Sequence, residues 1–184
     1  MGRSFGNLGA AHRGYIYQDV VTAYFMALCL ANQPGTLIVD KKLFAEDRFD
    51  DLTIHDHRGY VRRQFKRSDD PNRTLRREDF TQDTYGLRLN YLVRTLKQAG
   101  ENPADEYRLC VPWIVPTADD IVPYLEEVEV ASSFEGYRTR IFRLRADKLW
   151  PDGEDAIWSP LKKHEGFTRE DFITIEYCSL RLCR

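Results

Sequence analysis

Hydrophobic positions along the chain switch between helical and strand periods. From Ala10 to Asn32, Tyr17, Val20, Val21, Tyr24 and Leu28 recur at short helical intervals, which predicts a helix with one buried stripe. Gly14, Gln18, Val21 and Phe25 lie along the edge of that stripe, and Pro34-Gly35 turns the chain. Thr36-Leu37-Ile38-Val39 opens a strand, and the pattern permits it to run on through Lys41 to Ala45. Two further runs, Glu46 to Ile54 and Tyr60 to Lys66, alternate apolar and polar residues around His55-Asp56-His57-Arg58-Gly59. They predict an antiparallel hairpin and complete a three-stranded meander.

The second half carries weaker periods. Ser68-Asp69-Asp70-Pro71-Asn72 reads as a loop, because proline opposes a helix there. Phe80, Leu87, Leu92, Val93 and Leu96 predict a helix from Arg77 to Ala99, with Gly86 marking a break and Gly100 just past its end. Tyr107 to Val115 reads as a buried strand ended by Pro116, with Pro112 pointing to an edge or a bulge. Thr117 to Asp120 offer caps for a helix over Ile121 to Val128, and Arg138 to Leu144 alternates as a half-exposed strand. Pro151-Asp152-Gly153 is a turn. Thr168-Arg169-Glu170-Asp171 caps a closing element over Phe172 to Leu182, whose β-branched residues leave helix and strand both open. Helices before and after a mixed central sheet predict an α/β fold, in one domain over residues 1–184.

Composition narrows the class. The formal net charge is -2, so the overall balance does not announce a nucleic-acid binder. The basic residues concentrate instead between Arg58 and Arg77, opposed only by Asp69 and Asp70, as a surface tracking phosphates would require. A solvated strand edge has the same composition. No apolar run approaches a membrane span, and the N-terminus lacks a secretory pattern, so the expected location is cytoplasmic. Cys29, Cys110, Cys178 and Cys183 show no metal-finger spacing, and Cys29 and Cys110 sit in apolar runs. His55 and His57 have no third ligand nearby and read as part of a polar turn.

The chemistry lies in the hairpin. Strand alternation sends Gln64 and Lys66 to the same face, next to a strand entered by Asp50 and Asp51. Phosphodiester hydrolysis with a hard divalent ion needs oxygen ligands and a positive charge near the phosphate. Asp51 or Asp50 offers a carboxylate, Gln64 an amide oxygen, Phe65 a backbone carbonyl and Lys66 an ammonium. If Leu52 and Ile54 face the helical core, Asp51 shares a face with Thr53 and ranks ahead of Asp50; a bulge reverses that. Glu46 is a third candidate carboxylate.

Gly14, Tyr17 and Gln18, then Glu46, Asp50-Asp51-Leu52 and Gln64-Phe65-Lys66, occur in the order and spacing of the PD-(D/E)xK nuclease superfamily, which the chain resembles. More narrowly it is similar to the double-stranded DNA endonuclease domains at the N-terminus of bacterial anti-phage effectors, among them CBASS effectors and STAND-type ATPases. In that subgroup the last motif reads Gln-x-Lys, as here. The resemblance covers mainly residues 14–66. It implies a restriction-endonuclease-like αβα sandwich with a central mixed sheet, and Mg²⁺ or Mn²⁺ as cofactor. It further implies double-stranded DNA as substrate and a homo-oligomer fused to or associated with a sensor or ATPase module. On it, 1–184 is the N-terminal part of a longer effector, since no nucleotide-binding glycine-rich loop is present. Gln18 becomes a further wall of the site, and Arg62, Arg63, Arg67 and Arg73 become DNA contacts. The neutral Gln64 ligand implies weaker metal binding than a glutamate would give. The competing expectation is a catalytically silent α/β module that binds nucleic acid or protein through the Arg58 to Arg77 surface. An RNA-directed nuclease with the same site is a third.

Overall fold

A computed structural model describes residues 6–32, 35–57, 59–68, 70, 72–82, 87–100, 105–117, 121–128, 140–149 and 167–182. The order is α1 (Gly6–Asn32), β1 (Thr36–Val39), β2 (Leu52–Asp56), β3 (Gly59–Phe65), α2 (Glu78–Thr81), α3 (Leu89–Ala99), β4 (Glu106–Val111), β5 (Leu125–Glu127), β6 (Arg140–Leu144), α4 (Ala146–Leu149), α5 (Arg169–Ile173) and β7 (Cys178–Leu182). The seven strands form one mixed sheet in the order β1-β2-β3-β4-β7-β6-β5. The meander pairs antiparallel, β3 with β4 and β4 with β7 run parallel, and β6 pairs antiparallel with both β7 and β5. This is the α/β class with a mixed sheet that the pattern predicted.

Strand alternation divides the core into two. On β4, Leu109 and Val111 join one apolar cluster, while Cys110 between them joins the other. The larger cluster holds Leu89, Leu92, Val93 and Leu96 of α3, Phe172 of α5, and Phe142, Leu144, Cys178, Leu180 and Leu182 of the sheet. The smaller one packs Tyr17, Val21, Tyr24, Phe25 and Leu28 of α1 onto Leu37, Leu52, Ile54 and Phe65. Helices therefore cover opposite faces, and the first three strands lie beneath α1.

Several boundaries differ from the pattern. Val20 is 63% exposed, so the inner stripe of α1 runs through Phe25 instead. β1 stops at Val39 because Asp40 takes a left-handed backbone, φ 50°. β2 begins only at Leu52, and the hairpin turn is tighter than the five-residue polar segment suggested, since Asp56 pairs with Gly59. The helix predicted over Arg77 to Ala99 is two: Gln82 is extended and Arg88 is non-helical, φ -51° and ψ 125°, while Gly86 lies outside the described residues. Gly100 ends α3 at φ 84°, where a side chain would be strained. β4 stops before Pro112, which has no N–H to give the ladder. Over the predicted helix at Ile121 to Val128, Pro123 supports only a 3₁₀ turn, and Leu125 is already extended into β5. The closing element is both alternatives in turn. Thr168 and Asp171 form a reciprocal capping box for α5, and β7 follows. The predicted turn at Pro151-Asp152-Gly153 lies outside the described residues, as do Cys183 and the loop's Asp69 and Pro71.

Leu92 is fully buried between α3 and the sheet. Leu92→Ala is expected to lower unfolding free energy by roughly 2–5 kcal/mol in a urea titration. An unchanged midpoint would mean that α3 does not cover this face.

Candidate active site

Sheet register assembles the site from three chain segments. The β2–β3 pairing sets Leu52 opposite Arg63, so one further step sets Asp51 opposite Gln64. The β1–β2 pairing continues likewise: the Asp40 N–H donates to the Asp51 carbonyl at 3.2 Å and the Lys41 N–H to the Asp50 carbonyl at 3.0 Å. Asp40, Asp51 and Gln64 thus stand in one row where β1 ends and β2 begins. Leu52 and Ile54 face α1, which leaves Asp51 on the Gln64 face, as alternation requires. The Asp51 carboxylate accepts a hydrogen bond from Gln64 Nε2 and another from the Phe65 N–H at 2.6 Å. Asp50 instead lies 3.7 Å from the Lys42 ammonium. The structure sets Asp51, not Asp50, against the Gln-x-Lys segment.

The loop leading to Asp51 has no regular secondary structure, yet it is pinned at every turn. Asp47 accepts from the Leu43 N–H at 2.9 Å and the Phe49 N–H at 3.0 Å, and pairs with Arg62 at 2.5 Å. Both partners are almost fully buried. Phe49 is buried edge-to-face against Tyr107, 5.2 Å between centroids, and Arg48 lies 4.5 Å over the ring of Tyr91 on α3. The Glu46 carbonyl accepts from Thr95 Oγ1 of the same helix at 3.3 Å. These ties fix the two aspartates without a strand to hold them.

Burial dominates the electrostatics. It pushes the Asp51 pKa up from 3.8 to about 6, reinforced by the charges of Asp50 and Asp40 and opposed by the Phe65 N–H and the Lys66 ammonium. Burial also lowers the Lys66 pKa, against the pull of Asp51 and Asp50. Lys66 is fixed through its N–H, which donates to the Cys110 carbonyl at 3.1 Å. A carboxylate and an ammonium, both partly desolvated and each acting on the other's charge, therefore share one strand end.

The predicted residues separate into two groups. Asp51, Gln64, Phe65 and Lys66 come together, with Asp50 beside them through its field on Lys66. Gln18 reaches the row indirectly: its Nε2 donates to Asp40 Oδ1 at 2.5 Å. The Glu46 side chain is exposed, and the loop is held through its backbone. Two of the four arginines assigned to DNA require correction. Arg62 and Arg63 are 3% and 4% exposed, one committed to Asp47 and the other lying 4.1 Å over the Phe25 ring. A side chain held inside the protein does not track a phosphate backbone. Arg73 pairs with Asp79 and lies over Trp113, whereas Arg67 is exposed. Sequence reasoning missed Asp40 and Asp47. Asp47 is one acid among four from Glu46 to Asp51, and Asp40 merely closes an apolar run; only register and burial single them out.

A hard divalent ion takes oxygen donors. Among the described residues no three His, Cys, Asp or Glu side chains gather to hold a metal. The donor set here is of another kind: the Asp51 carboxylate, the Gln64 amide and the Phe65 carbonyl. In a strand the N–H and C=O of one residue face the same side, and the Phe65 N–H meets Asp51. Rotating the Gln64 amide half a turn offers its oxygen to the same point. These residues fit Mg²⁺ or Mn²⁺.

Two outcomes follow. A carboxyl whose folded-state pKa is raised contributes stability below its unfolded value and loses it as pH rises through about 6. In chelator, the unfolding free energy of Asp51→Asn is expected to exceed the parent's by roughly 1–3 kcal/mol at pH 8, with equal melting at pH 4. Equal melting at pH 8 would remove the desolvation argument. Asp47→Ala leaves the buried Arg62 charge unpaired and is expected to lose about 3–5 kcal/mol in the same assay. No family model matches the chain, and no curated protein matches it in sequence.

Proposed function

We propose that the chain is a metal-dependent endonuclease domain that hydrolyses phosphodiester bonds of double-stranded DNA. The observation that carries this reading is the convergence of Asp51, Gln64, the Phe65 backbone and Lys66 at one desolvated strand end. Helices on both faces of a mixed sheet support the restriction-endonuclease-like αβα sandwich that the motif order implies. A bound Mg²⁺ supplies charge neutralisation at the phosphate and a more acidic water. Asp51, Gln64 and the Phe65 carbonyl would hold it. Lys66 sets a positive charge beside that point, where negative charge grows in the transition state. Asp50 adds to the negative field, and Gln18 with Asp40 closes the α1 side of the site. Arg67 is the arginine of the original four left to contact the backbone from an exposed position.

The wider reading follows from the motif resemblance. It makes the domain the cytoplasmic effector end of an anti-phage defence protein, activated on assembly with a sensor or ATPase module. Among the described residues no helix is long and apolar enough to cross a membrane.

Incubating the purified chain with supercoiled duplex DNA and Mg²⁺ is expected to give nicked and linear products. Lys66→Ala and Asp51→Asn are each expected to slow cutting at least about 100-fold. A Lys66→Ala protein that cuts as fast as its parent removes this mechanism. Salt-sensitive DNA binding with no cutting by either protein would favour the silent binding module.

A further inference from the structure

α1 carries a second apolar seam that the described residues leave exposed. Ile16, Val20, Ala23, Ala27 and Leu30 follow one another at intervals of four, three, four and three residues, the spacing of a helix-packing seam. Each position but Leu30 immediately precedes a residue of the inner stripe, Tyr17, Val21, Tyr24 and Leu28, so the seam lies about 100° around the helix from the sheet. All five are exposed, Val20 at 63% and Leu30 at 85%, with Tyr15 and Met26 exposed beside them. From Gly14 to Ala31 the only charged residue is Asp19. A solvated helix face does not have this composition.

We propose that this seam packs against the same seam of a second copy, antiparallel across a two-fold axis at Ala23. Under that symmetry Ile16 faces Leu30 of the second copy, Val20 packs between its Met26 and Ala27, and Ala23 faces its Ala23. Crossing helices are closest at the crossing point and diverge toward their ends. Alanines at the centre and Ile16 and Leu30 at the ends fit that shape. The charge pattern selects the same arrangement. A parallel pair would set Asp19 against Asp19, while the antiparallel pair faces Asp19 with Ala27 and separates the two carboxylates by about 12 Å along the axis, beyond a Debye length in physiological salt. Lipid and nucleic acid are poorer occupants, because between Gly14 and Ala31 there is no lysine or arginine to meet a phosphate. The seam is about 21 Å long, so the contact is a small one and the dimer a weak one.

Sedimentation equilibrium of the 184-residue chain tests this. The chain is expected to dimerise at tens of micromolar. Ala23→Glu is expected to be monomeric there, its dissociation constant raised at least about 100-fold, because the substituted residue meets its own copy. An equimolar mixture of Ala23→Glu and Ala23→Lys is expected to dimerise again, which only an isologous contact through residue 23 produces. Leu30→Glu, at the most exposed position, serves if Ala23→Glu loses its far-ultraviolet circular dichroism. A monomeric parent at about 200 µM, or a dimer that survives both glutamate substitutions, overturns the proposal. So does a chain that stays monomeric and pellets with phosphatidylserine vesicles. None of these readouts depends on DNA cleavage.

Discussion

The buried pair between Asp47 and Arg62 is the constraint on which the candidate site depends. Arg62 occupies a strand position two residues before Gln64, on the same face. Asp47 gathers two loop N–H groups as well as the guanidinium. One carboxylate thus ties an irregular loop to a regular strand, and the aspartates that follow the loop inherit the strand's geometry. A buried ion pair is weak evidence of net stability, since desolvation offsets much of its attraction. Its effect here is on position. The Phe49, Arg48 and Glu46 contacts brace the same loop, and together with the ion pair they hold Asp51 at the end of β3.

The site stands where the meander runs out of ladder. β2 begins one residue after Asp51, so β3 extends past its partner and leaves the Phe65 N–H to be met by a side chain. That shortfall leaves a strand end where the Asp51 carboxylate meets the Gln64 amide and the Phe65 backbone. The left-handed turn at Asp40 belongs to the same device, because it ends β1 and brings its carboxylate to Gln18 on α1. Burial then shifts Asp51 and Lys66 in opposite directions while each restrains the other.

α1 serves two surfaces. Its inner stripe completes the smaller core, and its flank repeats the same spacing toward the outside. The helix that carries Gln18 to the site is therefore also the element through which two copies would meet. Gln18 lies on the far side of the helix from that seam, two residues from Ile16 and two from Val20.

Local periodicity was enough to determine α1, the three-stranded meander, the α3 stripe and the capping of α5, because each depends on neighbours a few residues away. It was also enough to bring Asp51, Gln64 and Lys66 into one neighbourhood, since hairpin alternation is a local rule. It did not resolve where β2 starts, because Asp50 and Asp51 look alike until the pairing of Leu52 with Arg63 fixes the register. Nor did it separate the arginines: Arg62, Arg63 and Arg67 are the same residue type in one run, and only packing against Asp47 and Phe25 takes the first two inside. The sequence by itself determined which residues are available for chemistry and on which local elements they lie. The tertiary structure decided which carboxylates are desolvated, which cations are committed and which acid meets the Gln-x-Lys segment, because burial and register arise only when distant segments close on one another.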